Sequence, residues 1–173
     1  MPMSMYQASV PLFTNFLGNL YDIQEYAAQH FAERKVDESV VLGTRFFPDM
    51  FPYNAQIRQA TQHAARCPAT LAGKDAPELP EDYSSFNGLN ERITAVLDFL
   101  EGLDPADFED TADKGFKYMV AGEARDFTGE RLLMGHCMPN VFFHVVTAYN
   151  LLRHNGVDLG KDHFMGYAKP GAD

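Results

Sequence analysis

Cysteine, basic charge and long apolar runs are all scarce in this chain of 173 residues. Two cysteines, Cys67 and Cys137, are too few for a disulfide scaffold and favour the cytoplasm. Fourteen Lys and Arg stand against 24 Asp and Glu, a formal charge of −10, with a pI of about 4.9. That balance excludes the basic footprint by which proteins bind nucleic acid or an anionic membrane. No stretch approaches the roughly 18 consecutive apolar residues of a membrane span. The opening Met1–Tyr6 lacks the basic and apolar regions of a secretory leader. Gly-x-Ser-x-Gly, Gly-x-Gly-x-x-Gly, the phosphate-binding Gly-Lys-Ser/Thr loop and Cys-x-x-Cys are all missing. No internal repeat or low-complexity segment occurs. What remains is 46% hydrophobic and 13% aromatic, enough for one domain over residues 1–173 with a substantial core.

Spacing gives that domain its shape. Phe13, Phe16, Leu17, Leu20, Ile23, Ala27 and Phe31 recur every three or four residues, one stripe of a long first helix. Pro11 either starts this helix or kinks its first turn, and the end falls near Glu33–Lys35. Asp37–Ser39 can open a short turn carrying Val40–Leu42. A second helix is expected from about Pro48 to Arg66, stopped by Pro68. Residues 68–83, with three prolines, read as a loop. Ser84 or Ser85 can cap a third helix whose stripe is Phe86, Leu89, Ile93, Val96, Leu97, Leu100 and Leu103. Phe116–Val120, a turn at Ala121-Gly122 and Glu123–Phe127 make a β-hairpin. A fourth helix over about Thr128–Arg153 is apolar nearly all round, which suits a bundle centre or a subunit interface. Asn155-Gly156 ends it, and the last seventeen residues form a tail lying on the bundle. The fold expected is all-α, a four-helix bundle with a short hairpin before the fourth helix.

Six histidines are the candidates for chemistry. His136, Asn140 and His144 are four apart, a slanted stripe on the fourth helix unless Pro139 breaks it. Two histidines at that spacing can share a metal. Alone on an apolar helix, however, a histidine is more often a hydrogen-bonded core residue. His154 lies beyond the helix body, and His30 and His163 read as exposed. Met50-Phe51-Pro52-Tyr53 reads as core.

The run from Gly129 to Asp162, with its Pro139-Asn140, Phe142-Phe143-His144, Ala148-Tyr149 and Leu152-Arg153-His154-Asn155-Gly156-Val157 segments, resembles the DinB/YfiT-like superfamily of bacterial four-helix proteins, in a branch of unknown function. Arg45–Pro52 and the hairpin support the likeness. The resemblance implies a DinB-like bundle, commonly dimeric. It also implies, in many members, a divalent metal held by one His of the second helix and a His-x-x-x-His pair on the fourth. Characterised relatives are metal-dependent thiol transferases and isomerases. Counting back from Leu152-Arg153 places the second histidine of that pair at His144 and the first at Asn140, where this chain departs from the pattern. The helix-two position corresponds to His63.

An amide oxygen is a poor ligand for zinc or nickel. The expectation is therefore a cytoplasmic homodimer that binds a small molecule around His63, Asn140, His144 and Tyr149, with a degenerate metal site and no tightly bound metal. The alternative is a metal-dependent thiol transferase or isomerase using His63 and His144 with a weakly bound divalent metal.

Overall fold

Ser4 begins the first helix by a reciprocal cap: its Oγ accepts from Gln7 N while Gln7 Oε1 accepts from Ser4 N, both at 3.1 Å. In the computed structural model, which describes residues 3–171, this α1 spans Met5–Glu33 and carries Pro11 within it. Asp37 caps the short α2, Glu38–Leu42. The long α3 runs Tyr53–Ala72, and α4 runs Phe86–Glu101 behind Ser85, whose Oγ accepts from Gly88 N at 2.9 Å. A 3₁₀ turn at Pro105–Phe108 leads to the hairpin, β1 (Gly115–Val120) paired antiparallel with β2 (Glu123–Thr128). Ala121 and Gly122 both take positive φ, 50° and 85°, the requirement of the two-residue turn that matches strand twist.

The last long helix comes in three joined pieces: α5 (Gly129–Leu132), a π turn over Leu133–Cys137, and α6 (Met138–His154). Helices α1, α3, α4 and α6 form the bundle, with α3 packed most extensively on α6. Its core is aliphatic and aromatic, including Phe13, Leu17, Ile57, Leu89, Ile93, Val141 and Leu152, each at most 1% exposed. A final α7, Lys161–Met165, docks on α1, where Asn19 Nδ2 donates to Phe164 O.

The all-α bundle and its hairpin stand as the spacing implied, while two local expectations change. Proline does not stop α3 at residue 68. Pro68 lies buried inside the helix, which continues until Gly73 takes φ 67°. Burying Cys67, Ala69 and Leu71 offsets the ~3 kcal/mol an internal proline costs. The start also moves, from Pro48 to Tyr53, because Pro48–Pro52 forms an irregular loop held by Arg45 Nη1 donating to Met50 O at 3.3 Å. The tail lies on the bundle as expected, with residues 161–165 helical.

Candidate functional site

Where α3 faces the π turn and α6, the structure gathers side chains that differ from the rest of the core. His63 projects from α3 between two partners. Its ring centroid is 5.5 Å from that of His136 and 6.2 Å from that of His144, stacked on the latter with planes 11° apart. Behind them lie the buried free thiols Cys67 and Cys137. Tyr118 of β1 and Phe127 of β2 close the far side, 5.6 and 5.8 Å from His136 between ring centroids. Arg66 Cζ stands 4.8 Å above the Tyr118 ring.

The tautomer of His144 follows from its neighbours. Gln56 Nε2 donates to Phe51 O at 2.9 Å, which turns Oε1 of the same amide toward His144 Nδ1, 2.7 Å away. An amide oxygen only accepts, so Nδ1 carries the proton and Nε2 keeps its lone pair. Burial, helped by the charge of His63, pushes the His144 pKa down to about 4, so the ring is neutral at pH 7. Burial also lowers His136, with His63, Arg125 and Arg66 acting in the same direction. Two polar atoms in the cluster are buried without a partner, His63 Nδ1 and Tyr118 Oη. Native structures leave few such groups, and each calls for a physical explanation.

His144 also floors a cleft of about 300 Å³ lined by Asp49, Met50, Phe51, Gln56 and Phe143. Phe51 stacks on His144 with centroids 6.4 Å apart and is 48% exposed, so half of the Met50–Tyr53 segment is a rim rather than core; Tyr53 alone is fully buried.

The structure thus brings His63 and His144 together and adds His136. Eight residues of regular helix would leave His136 about 80° off the His144 face. Each residue of the π turn, closed by Met138 N–H to Leu133 O, advances by less than a residue of regular helix, which reduces that offset. Pro139 is the visible signal, since it has no N–H for Gly135 and crowds that carbonyl. Asn140 turns aside, its Nδ2 donating to His136 O at 2.7 Å. Tyr149 lies apart from the histidines, its ring 5.5 Å from Phe164 and its hydroxyl accepting from Arg153. His30 is buried at 8% exposure, packed edge-on to Phe31, against the expectation of an exposed residue. His163 is half-buried and accepts from Gly160 N. His154 meets only the Phe46 ring, at 5.6 Å, among the aromatic contacts of the described residues.

Three imidazoles match an open catalytic zinc centre in number and kind. Their arrangement does not match one. His63 and His144 stack, and among the described residues no three His, Cys, Asp or Glu groups are disposed to hold a metal ion.

Residues 5–165 match the model of DUF1993, a domain of unknown function. The chain is also similar to a crystal structure of a DinB family member protein from Shewanella denitrificans. Identity is 34%, the TM-score is 0.84, and the match covers 97% of this chain and 94% of that one. Comparison with curated proteins gave no match.

Proposed function

Starting from the fact that the chain belongs to the DUF1993 family and has a DinB-like fold, we propose that it binds a small molecule in the cleft above His144. The observation that carries this is the Phe51–Gln56–His144 relay, which holds an unprotonated Nε2 in an aromatic setting. Such a site suits a compact, mostly apolar ligand that donates one hydrogen bond, such as a phenol. A metal is not part of this reading. The metal-dependent transferase alternative is favoured by one observation, the third imidazole from His136, and requires the stacked rings to turn. We further take the protein to work as a homodimer in the cytoplasm. In support, α6 leaves Phe143 and Val146 exposed, and both thiols are free. No helix of the described residues is long and apolar enough to cross a membrane.

Titration of phenol into nitrogen-15-labelled protein, followed through the histidine side-chain resonances, tests the ligand reading. Saturable movement of the His144 Nε2 signal, lost in Gln56→Leu, is expected. Phenol that leaves His144 unmoved sinks the reading. Near one equivalent of transition metal in the protein as isolated, lost on His144→Ala, would promote the alternative. Light scattering should give about twice the 19.4 kDa of the chain, and a monomer at micromolar concentration removes the dimer.

A further inference from the structure

A second pocket, of about 380 Å³, lies on the neighbouring face of α3, between that helix, the 76–83 loop and α4. Three of its lining residues are Arg58, Arg66 and Arg92, in a chain whose formal charge is −10. Arg58, Gln62 and Arg66 are four residues apart along α3 and line the pocket together, Arg58 over the Tyr83 ring and Arg66 with its guanidinium resting on the Tyr118 ring. Arg92 comes across from α4 and is only 5% exposed. Its Cζ and that of Arg58 both lie over the Tyr83 ring, at 5.6 and 5.9 Å.

Part of this arrangement is structural. Arg92 Nε donates to Thr61 Oγ1 at 2.9 Å, and Nη1 donates to Pro80 O at 2.8 Å and to Tyr83 Oη at 3.3 Å, which ties the loop to the bundle. These bonds leave both Nη2 hydrogens of Arg92 without a protein acceptor. They also do nothing for Arg58 and Arg66. Among the described residues none of the three arginines forms an ion pair. Glu81 is the acid that lines the pocket, and it is exposed. Burial and the neighbouring Arg58 both disfavour the Arg92 charge, which Glu81 offsets only from an exposed position, so an anion in the pocket would be favoured. The remaining walls are apolar, from Ala65, Ala76, Pro77 and Leu79.

We infer that this pocket is a binding site for a small organic oxyanion, a phosphate ester or carboxylate on a compact apolar body, held by Arg58, Arg66 and Arg92 beside the Tyr83 ring. Guanidinium is the group that recognises such oxyanions by paired hydrogen bonds. The aromatic and aliphatic walls receive the body of the ligand.

Calorimetric titration with phenyl phosphate, benzoate and inorganic phosphate tests the site in the wild type and in the Arg58→Gln/Arg66→Gln double variant. These two residues are only half-buried, so the variant should keep its melting temperature. One-to-one saturable binding is expected, weakened roughly tenfold or more in the variant. Phenyl phosphate binding above inorganic phosphate identifies an ester, equal binding identifies free phosphate, and benzoate binding best identifies a carboxylate. No saturable binding by any of the three overturns the inference, as does undiminished affinity in the folded double variant.

Discussion

Two seams of the bundle bury polar side chains in opposite ways. Where α1 meets α3 and α4, Tyr53 Oη donates to Gln24 Oε1 at 3.1 Å, Gln24 Nε2 donates to Asn90 Oδ1 at 2.6 Å, and Asn90 Nδ2 donates to Glu25 Oε1 at 3.0 Å. Each link satisfies the next, and the chain ends at a partly exposed carboxylate. Between α3 and the π turn with α6, aromatic rings and thiols crowd together, and His63 Nδ1 and Tyr118 Oη make no regular hydrogen bond, facing instead the Cys137 thiol. A closed network specifies how helices pack. An open one leaves hydrogen-bonding capacity unused.

Cutting the closed chain should have the largest effect. Gln24→Leu strands Tyr53 Oη and Asn90 Oδ1 in the core, and the loss expected in urea denaturation is about 4 kcal/mol, from two orphaned groups. Loss below 1 kcal/mol would mean that the seam rearranges easily and that the contrast is false.

Acid should act next, through the open seam. His144 titrates near 4 when folded and near 6.5 when unfolded, so the unfolded chain binds the extra proton between those values. Stability is therefore complete above about pH 6.5 and falls as pH drops toward 4, by on the order of 3 kcal/mol at most. His136 adds in the same direction. Denaturation midpoints measured across that range in wild type and His144→Gln should converge at low pH. A parallel pair of curves would remove His144 as the cause.

Leu97 and Leu100 sharpen the picture on the α4 side. Both sit on the apolar stripe, and full burial of Leu97 would make truncation to Ala cost about 2–5 kcal/mol. Leu100 is fully buried, whereas Leu97 is only partly so, beside a groove between α1 and α4. Leu97→Ala should therefore cost about 1.5 kcal/mol and Leu100→Ala about twice that. Equal losses would place Leu97 in the core after all.

The smallest effect is expected from Tyr118→Phe, which deletes a hydroxyl that meets no partner stronger than the Cys137 thiol. Stability should change by less than about 1 kcal/mol, toward greater stability if at all. A loss of 2 kcal/mol would show that the hydroxyl is bonded in solution and that the open seam is closed there.

The elements most legible in the amino-acid sequence were those governed by local chemistry. The α4 stripe, the Ser85 cap and the Ala121-Gly122 turn each depend on residues within a few positions of one another, and all three lie where spacing put them. Pro68 misled because a proline's local cost was outweighed by burial against distant helices. The pairing of His63 with His144 was readable from the DinB likeness, since it needs only ordinary helix geometry. The place of His136 was not, because the π turn alters the very periodicity from which a helical face is inferred. The arginine pocket was equally hidden, since it draws on α3, a loop and α4, with no pattern joining them along the chain.

The π turn also makes the chain between the hairpin and α6 one residue longer than a regular helix over the same path would need. Both ends are pinned. Upstream, Gly129 N donates to Lys114 O, and a side chain at Gly129 would collide with the Thr111 carbonyl; downstream, Val141 to Leu152 is locked into α3. Deleting a single residue such as Gly135 would therefore regularise the helix without moving either anchor, and the slack would be taken up by rotation of the segment between them. His136 sits on that segment. The presence of a third imidazole beside His63 thus depends on residue count rather than residue identity, and a one-codon deletion could remove it while leaving every bundle-forming side chain in the gene.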